Sequence, residues 1–127
     1  MFDIKTVLIL HDYAVKKFGG ALGVRDTGSL DTALNRPFQT FGGDDLYPDP
    51  FYKAADLVES IILNHPFVDG NKRTGFLLCA GFLLGFDIYV TASEDDRYNF
   101  VVDISTGSLP FEQIVEWLQK NTEVKQN

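Results

Sequence analysis

Apolar residues recur three and four apart along most of the chain, the spacing of helices that bury one face. Ile4, Val7, Leu8, Tyr13, Ala14 and Phe18 trace the first such stripe, and Gly19-Gly20 marks its end. A second, short helix carries Leu30, Ala33 and Leu34, with Ser29 as its cap, Asp31 suiting the positive end of its dipole and Pro37 beyond its last turn. Residues 37–50 (PFQTFGGDDLYPDP) break the pattern with Pro, Gly and Asp and read as one long loop, a length often tied to function. Phe38, Phe41 and Tyr47 make that loop a candidate docking flap for a protein target. Asp49 and Pro50 then open a third helix, with Ala54, Leu57, Val58, Ile61 and Ile62 on its apolar side, stopping near His65 before Pro66.

Residues 71–84 (NKRTGFLLCAGFLL) are apolar around nearly the whole circumference after the first turn, which predicts the central helix of the molecule, stopped by Gly85. Residues 86–90 (FDIYV) read as extended. Ser93 caps a helix that begins Glu94-Asp95-Asp96 and turns Tyr98, Val101, Val102 and Ser105 inward as far as Gly107. Pro110 opens a last helix with Phe111, Ile114, Val115, Trp117 and Leu118, and the polar tail from about Asn121 is expected to fray. The expected fold is all-α, a single domain over residues 1–127 with about six helices.

Charge narrows the function. Lys plus Arg is 11 and Asp plus Glu is 18, a net charge of −7. Such a balance opposes direct DNA binding and attraction to anionic membranes. Residues 87–127 hold eight of the acids and only three of the bases. Cys79 is the single cysteine, so no internal disulfide or Cys-rich zinc site can form, and its apolar surroundings make it a buried, inert thiol. The longest apolar run, Phe76 to Phe86, falls short of the roughly 20 residues a membrane span needs. A cytoplasmic protein is expected.

The segment that breaks local rules is His65-Pro66-Phe67-Val68-Asp69-Gly70-Asn71-Lys72-Arg73-Thr74. Helix N-termini favour acids, yet this one starts with two cations, at a cost of roughly 0.3–1 kcal/mol each at a surface. They are explained if the site holds an anion. Gly70 permits a positive φ, and a nest of backbone N–H groups, a helix N-terminus and two cations together make a phosphate site. Asp69 beside it suits Mg2+, which takes one or two carboxylates plus phosphate oxygens. His65 suits a general base for a hydroxyl nucleophile. Taken singly, Asp69 also reads as a helix cap, Asn71 as a turn residue, His65 as a C-terminal residue bonded to carbonyls, and Lys72 and Arg73 as solvated charges.

HPFVDGNKR matches the pattern His-x-Phe-x-Asp/Glu-Gly/Ala-Asn-x-Arg at all six defined positions, and so resembles the central motif of the Fic/Doc family. The chain length, His11-Asp12, FGG at 18–20, GVRDTGSL at 23–30 and the late Trp117 are similar to the small death-on-curing branch of that family. The resemblance implies an all-α core with the motif between two central helices. It implies catalytic roles for His65, Asp69, Lys72 and Arg73, nucleotide or phosphate binding by Gly70, Asn71, Lys72 and Arg73, metal binding by Asp69, and Phe67 as an apolar anchor. Lys72 stands where the adenylylating branch has Gly, and Phe76 where it has a second Arg. Both departures resemble the kinase branch, whereas Gly70 stands where the best-known loop of that branch has Ala. The implied activity is transfer of the γ-phosphate of ATP, with Mg2+, to a protein hydroxyl, a threonine of elongation factor Tu by resemblance, arresting translation. The inhibitory motif of other family members is matched only incompletely, by Ser108, Glu112 and Gln113, which implies restraint by a cognate antitoxin. Transfer of AMP, and an inactive phosphate-binding module, are the alternatives.

Overall fold

The structure, a computed structural model, describes residues 3–125. Among these, six α-helices form the molecule: α1 (Ile4–Phe18), α2 (Thr27–Asn35), α3 (Pro50–Asn64), α4 (Asn71–Leu84), α5 (Glu94–Ser105) and α6 (Phe111–Lys120). The fold is all-α, as the spacing predicts. Two small antiparallel strand pairs accompany the helices: β1 (Thr40–Phe41) with β2 (Asp44–Asp45), and β3 (Ile88–Val90) with β4 (Thr122–Val124).

The helix α3 is the keel. Its apolar residues divide between two cores, because they occupy more than one face. Ala54, Ala55, Val58 and Ile62 pack with Cys79 and Leu83 of α4 and with the buried faces of α5 and α6. Leu57 and Ile61 pack with Val7 of α1, with Leu30, Ala33 and Leu34 of α2, with Leu78 of α4 and with Phe67. The close approach of α3 and α4 is set at Gly75, where an added Cβ would meet Ile61 and Ile62 side-chain atoms at 3.2–3.3 Å. Trp117 of α6 stacks on Phe100 of α5 at 3.8 Å between ring centroids.

Several local expectations are corrected. The cap of α2 is Asp26, whose carboxylate accepts from the Ser29 N–H, so the helix begins earlier than a Ser29 cap allows. The buried stripe of α1 is Val7, His11, Ala14 and Val15, whereas Tyr13 and Phe18 are exposed. On α5 the inward residues are Phe100, Val101 and Ile104, and Tyr98 points to solvent. The central helix α4 is less enclosed than its sequence predicts: Gly81 and Leu84 are exposed at its far end. Loop 37–50 contains a 3-10 turn at Arg36–Phe38 and the β1–β2 hairpin, whose Gly42 and Gly43 take φ of 61° and 89°. Positive φ at both turn positions is what a two-residue hairpin turn requires. The expected frayed tail instead forms β4. Asn121 and Thr122 side chains donate to the Trp117 and Leu118 carbonyls, which closes α6, and the free edge of β3 accepts the next residues.

Candidate active site

The six residues between α3 and α4 carry the site, and four separate devices fix their path. The end of α3, like that of any helix, leaves its last carbonyls without intrahelical partners. His65 takes the left-handed conformation (φ 49°, ψ 56°), and the Arg25 guanidinium donates to the carbonyls of His65 (2.6 Å) and Asn64 (2.7 Å). Phe67 is fully buried between α1 and α3. Residues 23–25 lie antiparallel to it, with N–H donations from Arg25 to the Pro66 carbonyl and from Val68 to the Gly23 carbonyl. Asn71 closes the loop: its side chain accepts from the Phe67 N–H and donates to the Phe67 carbonyl, both at 3.0 Å.

His11 is the fourth device. It is buried on α1, stacks on Phe67 at 3.9 Å, and its Nε2 lies 2.7 Å from the Asp69 carbonyl oxygen. A carbonyl only accepts, so Nε2 carries the proton. In the sequence, His11 and Arg25 mark only the resemblance to the family and carry no role at the site. The signal for His11 was available as a polar residue in the buried stripe of an amphipathic helix.

Asp69 is exposed, and its carboxylate accepts from the Gly70 N–H (2.8 Å) and the Ala21 N–H (3.2 Å). Those two donors, with Lys72 adding its charge, hold its pKa below the ordinary aspartate value. The carboxylate does not cap α4. The cap position is Gly70 at φ 75°, and no side chain bonds the open N–H groups of the first turn. The contrast with α5 is informative. There Ser93 accepts from the Asp96 N–H and three acids occupy the first turn. The same chain thus caps one helix N-terminus and surrounds it with acids, and leaves another without a side-chain cap and flanked by Lys72 and Arg73.

That bare end opens into a cavity of about 650 Å³, on which His65, Asp69, Gly70, Asn71, Lys72 and Arg73 all border. The predicted site residues are therefore brought together. Lys72 and Arg73 are exposed, and the Arg73 guanidinium lies 3.7 Å over the Phe18 ring. This explains why Phe18 leaves the core: its ring is the platform for Arg73. Asn71 borders the cavity and shapes the loop through one bond at each side-chain polar atom to Phe67, which leaves one amide N–H and one lone pair over. Among the described residues, no group of three or more His, Cys, Asp or Glu side chains converges as a metal cage. A single ionised carboxylate with lone pairs to spare fits Mg2+ held jointly with phosphate oxygens and water.

The family model for the Fic/DOC family matches residues 1–83, which include all of this machinery from α1 to most of α4. The chain belongs to the Fic/DOC family. It is also similar to a protein named Toxin Doc from Mycolicibacterium smegmatis, at 48% identity over 84 residues. The aligned part covers 61% of this chain and 65% of that relative, so the chain spans somewhat under two thirds of the relative's length. Within the Fic/DOC framework, residues 23–25 and His11 acquire a reason: they hold the motif loop from outside. The walls contributed by α5 lie beyond the matched residues. No helix among the described residues is long and apolar enough to cross a membrane.

Proposed function

We propose that this Fic/DOC protein is a Doc-type toxin that transfers the γ-phosphate of ATP to a hydroxyl group of a protein. The observation that carries the reading is the uncapped first turn of α4, with Lys72 and Arg73 on it, opening into the cavity that His65 and Asp69 also border. The open N–H groups and the two cations bind and orient phosphate oxygens and offset their charge as it redistributes in a loose transition state. The His65 imidazole takes the proton of the target hydroxyl as that oxygen bonds to the γ-phosphorus, while the bond from that phosphorus to the bridging oxygen breaks and ADP leaves. Asp69, favoured in its ionised form by the two backbone donors, would hold Mg2+. Mg2+-ATP, when bound, supplies the phosphoryl group and shields its negative charge.

Two features favour γ-phosphate over AMP transfer. Lys72 places a flexible cation at the second residue of α4, and the Phe76 ring, edge-on to Phe100 at 6.3 Å, gives no phosphate contact. A cleft so altered holds the triphosphate with its other end toward His65. The name of the mycobacterial relative supports the toxin reading. By resemblance the target is a threonine of elongation factor Tu, the outcome is translation arrest in the cytoplasm, and a cognate antitoxin restrains the protein.

The test is transfer of label in a bacterial lysate from ATP labelled at either the α- or the γ-phosphate. Protein labelling from the γ-position alone is expected. Labelling from the α-position would assign AMP transfer instead, and no labelling from either would leave a phosphate-binding module.

A further inference from the structure

The α5 wall of the cavity is formed by Glu94, Arg97, Tyr98 and Val101. Their offsets of three, four and seven residues place them on one face of the helix. Core packing holds this face in position: Val101 is buried, and its neighbour Phe100 meets Phe76 of α4. Arg97 is the one cation on that face. It belongs to a segment, residues 87–127, with eight acids and three bases, and it directly follows Glu94-Asp95-Asp96. Those acids and the Ser93 cap already neutralise the N-terminus of α5. Among the described residues the Arg97 guanidinium nevertheless meets no carboxylate at ion-pair distance. It borders the same cavity as Lys72 and Arg73. After Arg73, α4 adds only Phe76 and Leu77 to the lining, so positive charge on that side comes from α5. A cavity of about 650 Å³ also has room for much more than one phosphate, since small-molecule sites run roughly 300–1,000 Å³.

We propose that Arg97 is a polyphosphate-binding residue of this cleft. The first turn of α4, with Lys72 and Arg73, holds one phosphate of a nucleoside triphosphate. Arg97 reaches from α5 to a second phosphate of the same chain, with a planar fork suited to two oxygens. The inference rests on the reading of the cleft as a triphosphate site.

Calorimetric titration of the intact chain with Mg2+-ATP and with AMP tests it. The wild-type protein is expected to bind ATP more tightly than AMP. Arg97→Gln is expected to weaken ATP binding by about tenfold or more, the loss of one charged hydrogen bond, and to leave AMP binding little changed. Arg97→Lys should recover part of the loss, because an ammonium keeps the charge without the fork. An unchanged melting temperature is expected for an exposed side chain and separates binding from folding. Arg97→Gln binding ATP as the wild type does overturns the assignment and leaves the transfer reading standing. Equal losses for ATP and AMP overturn it as well. A wild-type chain that binds neither nucleotide overturns both this assignment and the transfer reading. Label entering protein from the α-phosphate alone defeats γ-phosphate transfer but not the role of Arg97, since a triphosphate occupies the cleft in either reaction.

Discussion

His65 combines two tasks that a substitution can separate. Its backbone sits in the left-handed region and offers its carbonyl to Arg25, while its side chain borders the cavity. Left-handed backbone costs roughly 1–2 kcal/mol for most residues and less for Asn. His65→Asn is therefore expected to keep the fold and to lower transfer by about 10²–10⁴, the usual worth of a general base. His65→Ala should lose the same activity and be the less stable of the two. Transfer by His65→Asn within a few-fold of wild type would remove the imidazole from the chemistry. The residue types of HPFVDGNKR single out His65, Asp69, Lys72 and Arg73 as a group, because cations at a helix N-terminus conflict with local electrostatics unless something negative binds there, and all four border one cavity. The same types did not reveal that Asn71 spends its amide on Phe67, since that depends on the loop doubling back through four residues.

Among the elements, the β1–β2 hairpin is tied down by charges at its base. The Lys53 ammonium is buried, donates to the Pro37 carbonyl (3.2 Å) and pairs with Asp45 (3.3 Å). Arg36, half exposed, pairs at 3.0 Å with the fully buried Asp56, whose two oxygens receive no well-aligned hydrogen bond among the described residues. Burial pushes the Asp56 carboxyl above its ordinary 3.8, and Arg36 pulls it only part of the way back. A raised folded-state pKa means the native chain holds a proton that the unfolded chain has released. The contribution of Asp56 to stability therefore falls as pH rises from 3.8 toward the raised value. Asp56→Asn, which does not titrate, is expected to gain stability relative to wild type between pH 4 and pH 7, as read from melting temperatures at the two pH values. A difference that stays constant with pH would show that Arg36 compensates the burial in full.

The hairpin itself presents Phe41, which is 82% exposed, whereas Phe38 packs edge-on against Phe82 and Tyr47 against Phe111. Of the three aromatics that made loop 37–50 a candidate flap, only Phe41 is free for a target. Phe41→Ser is expected to change stability by less than about 0.5 kcal/mol and to reduce transfer to protein while nucleotide binding is unaltered. Unfolding of this variant would instead make Phe41 part of the core.

For the whole molecule, charge and covering determine behaviour. On a chain of net charge −7, three of the eleven cations, Lys72, Arg73 and Arg97, border one cleft, an arrangement that suits an anionic nucleotide better than a nucleic acid backbone. Cys79 is fully enclosed and burial pushes its thiol up to about 12, so the one cysteine takes no part in chemistry at neutral pH. Expression of the chain alone in a bacterial host is expected to arrest growth. Co-expression of a separately encoded partner is expected to relieve the arrest. Normal growth with high soluble yield of active-site-intact protein would argue against a toxin.

Residue spacing alone yields the six helices, most of their stops and the segment that comes to border the cavity. Each of these depends on local physics: three-and-four spacing, Gly and Pro at helix ends, and the clash of Lys72 and Arg73 with a helix dipole. Packing between the helices settles which faces they bury. It moved Tyr13, Phe18 and Tyr98 outward and His11 inward, because a stripe on a helix is read only against the neighbour it meets. It also decided what holds the motif loop. Arg25, His11 and residues 23–25 act from about 40 to 60 positions away, a separation over which residue spacing carries no signal and packing around Phe67 carries all of it.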